Sequence, residues 1–152
     1  MPMFPFLEMA SQRIPQFAGV KYSHGDMMEL QEIIHWAKGR FDLFFGCDES
    51  LLAAVSLGCK AAVGSTYNHS MHIYNAMLKA WTEGDLAMAR KLSNTAVEMV
   101  RCLQKHGTLS AQKAMLTRMG VPLGDPRSPL IPMRTETADR LYAEMMEKGY
   151  LE

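Results

Sequence analysis

The chain has 152 residues and equal numbers of basic and acidic side chains, 16 of each, for a formal net charge of 0. No basic block or stripe interrupts that balance, so nothing draws the chain to a phosphate backbone or an anionic lipid surface, and neither nucleic acid nor membrane is an expected partner. A chain this long makes about one domain and can bury roughly 70% of the surface its unfolded form exposes.

The opening MPMFPFLEMA lacks the basic leader and long apolar core of a secretory signal. No run approaches the roughly 20 apolar residues of a membrane span, so the expected address is cytoplasmic. Within this opening, Phe6, Leu7, Ala10 and Ile14 recur as the stripe of an amphipathic helix ended by Pro15. FAGVKYS then reads as a short buried strand, placed at about 17–23. Met27, Leu30, Ile33, Ile34 and Ala37 mark a helix capped by Asp26 and broken at Gly39.

FDLFFG, at 41–46, is a second strand, followed by a helix from Asp48 to Gly58 whose acidic start suits its own dipole. KAAVGS, at 60–65, is a third. Asn68 is placed to cap a helix from about His69 to Trp81, and EGD at 83–85 turns the chain into a longer one from about Leu86 to Lys105. Gly107 stops that helix, Ser110 starts another to about Met119, and VPLGDPRSPLIP leads to a last helix from about Thr135 to Lys148.

The 3 cysteines, Cys47, Cys59 and Cys102, fit no disulfide framework or zinc knuckle and read as reduced, mostly buried thiols. Methionines at helical spacings, such as Met71, Met77, Met145 and Met146, read as core filler.

Three strand-then-helix units with short connections predict a parallel sheet buried on both faces, hence an α/β fold, with residues 1–152 as one domain. Yet three strands leave an open edge and an uncovered inner face that the all-helical remainder is not suited to pair. If roughly five inward side chains stay wet at about 1.5–3 kcal/mol each, the loss is on the order of 10 kcal/mol, comparable to a domain's whole stability. The sequence thus looks like the last part of a larger barrel.

In parallel α/β folds, reactive groups gather at the carboxyl ends of the strands. The first strand end offers Lys21, Tyr22 and Ser23, the second Gly46, Cys47, Asp48 and Glu49, and the third Gly64, Ser65, Thr66, Tyr67 and Asn68. Taken singly they read as surface lysine, helix-start acids and capping hydroxyls; three such ends in register predict a polar pocket over an apolar floor. Lys21, flanked by Gly19, Val20 and Phe17, is expected to lose hydration of its charged form, freeing a lone pair to attack a ketone and form a Schiff base. A protonated imine is an electron sink, which is the basis of aldol chemistry.

The runs GVKYS, GCDE and GSTYN closely resemble the N-acetylneuraminate lyases, or sialic acid aldolases, of the dihydrodipicolinate synthase superfamily. The resemblance implies a class I aldolase on a (β/α)8 barrel, of which this chain matches the second half as a partial barrel. It implies that Lys21 is the catalytic Schiff-base lysine, and that Ser23, Gly46, Asp48, Glu49 and Ser65 bind the sugar portion of the substrate. Cys47 stands at a variable place in the motif and takes no role.

It implies small-molecule partners, sialic acid and pyruvate, no metal or organic cofactor, and a homo-oligomer, commonly a homotetramer, for the complete fold. The family's proton-relay tyrosine and carboxylate-binding loop belong to earlier strands, and neither Tyr22 nor Tyr67 matches that tyrosine. Two alternatives stay open: a shortened, non-catalytic or incomplete product of such a gene, and a related dihydrodipicolinate synthase or keto-deoxy sugar acid aldolase. Asp48, Glu49 and GSTYN favour the sialate reading, since a polyol tail needs carboxylate acceptors and hydroxyls. His69 and His72, at i and i+3, are a weak metal pattern.

Overall fold

The computed structural model describes residues 3–152, which divide between Gly64 and Ser65 into two compact units. The first contains α1 (Met3–Arg13), β1 (Gly19–Tyr22), α2 (Met27–Ala37), β2 (Asp42–Phe45), a 3-10 turn (Asp48–Ser50), α3 (Leu51–Ser56) and β3 (Ala61–Ala62). Its three strands are parallel in the order β1-β2-β3. They are shorter than the sequence suggests, although bonds from Asp42 N to Ala18 O (2.9 Å), Gly46 N to Tyr22 O (2.8 Å) and Val63 N to Phe45 O (2.9 Å) carry the ladder beyond them.

Side chains alternate across a strand, and in-register neighbours on parallel strands share a face. Tyr22 and Phe45 are fully buried on one face, within a core that includes Leu7, Leu30, Ile33 and Ala37. Lys21 pairs with Phe44, and Phe44 with Ala61, on the other. There Lys21 is exposed, and Phe44 and Val63 are 38% and 44% exposed. The expected burial on both faces therefore does not hold within this unit: the sheet buries its helix side and leaves the lysine side wet.

The helix side is tied together by Tyr22. Its hydroxyl lies 2.8 Å from the Asp26 carbonyl and 3.0 Å from Glu29 Oε2. The other Glu29 oxygen accepts from the Met3 and Phe4 amides at 2.6 and 3.3 Å, so one carboxylate serves strand β1 and the open amides of α1 together. Burial and the Glu29 charge push the Tyr22 phenol well above its ordinary range, keeping it a donor. Asp26 caps α2 as expected, accepting from Met28 N and Glu29 N at 3.0 Å each. The helix ends at Ala37, because Lys38 already turns left-handed at φ 49°, one residue before the expected break at Gly39. Arg40 lies 5.0 Å from the Trp36 ring and donates from Nε to the Ala37 carbonyl at 3.2 Å, satisfying a carbonyl at that end.

The second unit contains α4 (Tyr67–Thr82), α5 (Leu86–Gln104), α6 (Thr108–Arg118) and α7 (Thr135–Glu147). Ile73, Tyr74, Met77 and Ala80 of α4 and Ala89, Ala96, Met99 and Leu103 of α5 are buried where these helices pack, and Asp85 caps α5 through Met88 N at 2.9 Å. Three expectations are corrected. Asn68 does not cap α4; its side-chain nitrogen donates to the Ser65 carbonyl at 2.9 Å. Helix α6 starts at Thr108 rather than Ser110, whose hydroxyl donates to the Ile131 carbonyl at 2.8 Å and holds the proline-rich connector. Met77 and Met145 are core, but Met71 and Met146 lie on exposed helix faces. Among the described residues no helix is long and apolar enough to cross a membrane.

Replacing Glu29 by Ala strips an acceptor from Tyr22 and from two α1 amides, and the expected loss is about 1–2 kcal/mol in chemical denaturation. The exposed neighbour Glu32→Ala serves as control, with an expected change within about 0.5 kcal/mol.

Candidate active site

In the first unit the predicted residues sit at the carboxyl ends of the strands. Lys21 is the third residue of β1, Ser23 follows that strand, Gly46 follows β2, and Asp48 and Glu49 open the 3-10 turn. Ser65 is the first residue of the second unit and is exposed.

Lys21, Ser23 and Gly46 are brought into direct proximity. A Cβ added to Gly46 would overlap the Ser23 hydroxyl and come 2.6 Å from Lys21 Cε and 3.2 Å from its Cγ. The missing side chain at 46 is therefore the space that the lysine stem and the serine occupy. Gly64 plays the same part for Asp48, whose carboxylate fills the place of a side chain at 64. Asp48 is only 6% exposed. The helix predicted to start at Asp48 begins as a tighter 3-10 turn at this buried acid.

The expected dehydration of Lys21 by its strand neighbours is not found. Gly19 offers no side chain, and its Cα lies against the Asp42 backbone. Val20 points to the opposite face by strand alternation. Phe17 packs edge-on against Phe41 with ring centroids 5.2 Å apart. What stands beside Lys21 is Phe44, its in-register partner, and the bare backbone at Gly46.

Cys47, given no role from the sequence, lies where the charges of this rim meet. Its thiol is pushed up first by burial and then by the Glu49 and Asp48 carboxylates, while Lys21 pulls it down. All three charged residues thus act on one half-buried sulfur, a convergence that strand spacing alone could not reveal.

The other aromatic and histidine candidates are engaged elsewhere. The Tyr22 hydroxyl is bonded on the helix side, facing away from Lys21, and the Tyr67 ring packs at right angles to Tyr74 with centroids 4.6 Å apart. His69 Nδ1 meets the Ser70 hydroxyl at 2.6 Å and His72 Nε2 the Gly149 carbonyl at 3.0 Å, so these imidazoles bond separate partners. Among the described residues no group of three or more His, Cys, Asp or Glu is arranged to hold a metal ion.

Residues 7–148 match the dihydrodipicolinate synthetase family. The N-acetylneuraminate lyase of Gallus gallus is 37% identical over 142 residues, covering 91% of this chain and 46% of that protein. The corresponding lyase of Danio rerio is 36% identical, covering 86% and 43%. Among solved structures, the Proteus mirabilis N-acetylneuraminate lyase aligns with a TM-score of 0.93 at 30% identity, over 99% of this chain and 51% of that one. The Aliivibrio salmonicida sialic acid aldolase gives 0.92 at 34%, over 99% and 50%. The chain spans about half the length of the relatives it matches. The α/β class read from the sequence holds, and the three parallel strands are part of a (β/α)8 barrel.

The charge arrangement around Cys47 makes a signed prediction. Below the thiol pKa, alkylation by iodoacetamide speeds up with pH; Glu49→Gln, which removes an acid that holds the thiol up, should accelerate it about two- to threefold at fixed pH. Lys21→Ala should slow it by a similar factor, measured by peptide mass spectrometry. Equal rates in the three proteins would show that these charges do not converge on the sulfur.

Proposed function

The chain belongs to the dihydrodipicolinate synthetase family, and we propose that it carries the imine-forming lysine and the sugar-binding rim of an N-acetylneuraminate lyase, with residues 1–152 as one continuous part of that barrel. The observation that carries this reading is the convergence of Lys21 and Ser23 over the bare backbone of Gly46, beside the acids of the 3-10 turn.

The Lys21 amine attacks the C2 carbonyl of open-chain N-acetylneuraminate; the carbinolamine loses water, and the imine takes a proton. The C3–C4 bond then breaks as the C4 hydroxyl gives up its proton, its electron pair moving toward the imine nitrogen. N-Acetylmannosamine leaves and an enamine remains. Protonation at C3 and hydrolysis release pyruvate and restore the amine. Ser23 and Ser65 serve the polyol as donors and acceptors, Asp48 and Glu49 as acceptors, and Gly46 through its backbone, its missing side chain giving the lysine stem and Ser23 their space. Tyr22 takes no part in proton transfer, since its hydroxyl lies on the far face of β1.

The chain's span, about half the length of the relatives it matches, leaves a second reading, in which this chain by itself carries the site without the activity.

Borohydride treatment with pyruvate separates the two readings. The first expects Lys21 to gain the mass of pyruvate less one water plus two hydrogens, and expects Lys21→Arg to abolish the gain. No gain, under conditions that label a full-length relative, leaves the non-catalytic reading. Where trapping occurs, Glu49→Ala should weaken competition by N-acetylneuraminate about tenfold while pyruvate trapping changes little, the loss expected for one charge-assisted hydrogen bond. Equal losses on both ligands would refute the role of Glu49.

A further inference from the structure

Helix α4 is not one uninterrupted helix: Ser70 leaves helical geometry at φ −138° and ψ 29°, which sets the turn at its start apart from the body that follows. That turn carries Ser65. The Ser65 carbonyl accepts from the Asn68 amide at 3.3 Å and from the Asn68 side chain at 2.9 Å. The Thr66 carbonyl accepts from the amides of His69 and Ser70 at 3.2 and 3.0 Å, and the Thr66 hydroxyl lies 2.7 Å from that of Tyr74.

What holds the break is far away in sequence. Ser70 is fully buried, and its Oγ lies 2.6 Å from the Tyr150 carbonyl, 80 residues on. A mid-helix serine ordinarily bonds back to a carbonyl one turn earlier; this one does not. A carbonyl only accepts, so Ser70 donates its single proton to Tyr150. Toward His69 Nδ1, at 2.6 Å, its oxygen must therefore accept, which places the neutral ring's hydrogen on Nδ1. On the same helix, His72 Nε2 meets the adjacent Gly149 carbonyl at 3.0 Å.

The segment supplying these carbonyls is itself anchored. Tyr150 N donates to the Met145 carbonyl at 2.8 Å and Gly149 N to that of Met146 at 3.0 Å, closing the end of α7. The Tyr150 hydroxyl reaches Glu98 of α5 at 3.4 Å, and both Tyr150 and Leu151 are buried.

We propose that Ser70 is a positioning residue: its bond to the Tyr150 carbonyl fixes the turn at 65–69 and with it the direction in which the Ser65 hydroxyl meets a polyhydroxylated keto acid. The clamp stands on the hydrogen bonds alone; the ligand it serves rests on the lyase reading.

The test is amide hydrogen exchange on the full 152-residue chain. Ser70→Ala should speed exchange of the amides at 68–70 about tenfold or more, leave the mid-α5 amides unchanged, and be rescued by Ser70→Thr, which keeps the hydroxyl. Unchanged exchange at 68–70 in a folded Ser70→Ala protein overturns the clamp. Should that variant not fold, nitrogen-15 NMR of the parent chain decides, because His69 must carry a hydrogen on Nδ1; an Nδ1 without a hydrogen overturns the bonding scheme. In the borohydride assay, the N-acetylneuraminate concentration for half-maximal trapping should rise several-fold in Ser70→Ala with that for pyruvate unchanged, and parallel shifts would refute the orienting role. Absence of trapping in the parent refutes the lyase reading alone, and the exchange rates still judge the clamp.

Discussion

The Tyr22 hydroxyl, held between the Asp26 carbonyl and the Glu29 carboxylate, decides which way the first strand faces. Successive side chains on a strand point to opposite sides, so a one-residue slip would exchange the two faces entirely. With Tyr22 buried against the helices, Lys21 has no choice but the opposite face, where it stands in register with Phe44. Because the same Glu29 carboxylate also accepts from the first amides of α1, strand direction and the seating of α1 are settled by one half-buried acid. A lysine can be presented at this position because its neighbour is locked.

Two glycines then shape what the lysine meets. Gly46 and Gly64 take no left-handed turn here; each is required because another residue's polar group occupies the space of its side chain. At Gly46 that group is the lysine stem and the Ser23 hydroxyl, and at Gly64 it is the Asp48 carboxylate. Helix α3 follows the 3-10 turn directly, so the buried Asp48 lies at the entry to that segment, where negative charge is favoured. Close approach of backbone to a polar group and an acid at a helical entry are both ordinary devices of folding. Their meeting at one rim gives the site its chemical character.

Much of this could be read from the residues because it is local. Caps at Asp26 and Asp85 depend on the next few amides, and the order strand, helix, strand follows from apolar runs and their breaks. Where the reading failed, a different partner had taken the group or periodicity had not given depth. Asn68 has the side chain of a cap, yet its amide is used by the Ser65 carbonyl. Ser110 looked like a helix start, yet its hydroxyl is taken by Ile131. Met71 and Met146 share helices with buried methionines but lie on the wet side, where periodicity alone gives no depth. The break at Ser70 has no local signature, since its partner lies beyond α7. The charges meeting at Cys47 were hidden as well, since its sulfur is influenced from two different strand ends.

The lysine face joins folding to chemistry. Phe44 and Val63 stand on that face with Lys21, at positions that point toward the interior of a (β/α)8 barrel, where side chains from alternate strands fill the core in layers. Covering two apolar side chains is favourable in itself, by about 1.5–3 kcal/mol for each one fully buried. Whatever segment covers them must also displace water from the amine between them and the rim. If Lys21 is the nucleophile proposed above, its dehydration is coupled to the hydrophobic closure of the sheet: burial of Phe44 and Val63 offsets part of the cost of stripping water from the amine. On the lyase reading proposed above, the amine becomes reactive only as the interior becomes dry, and one apolar contact serves both stability and chemistry.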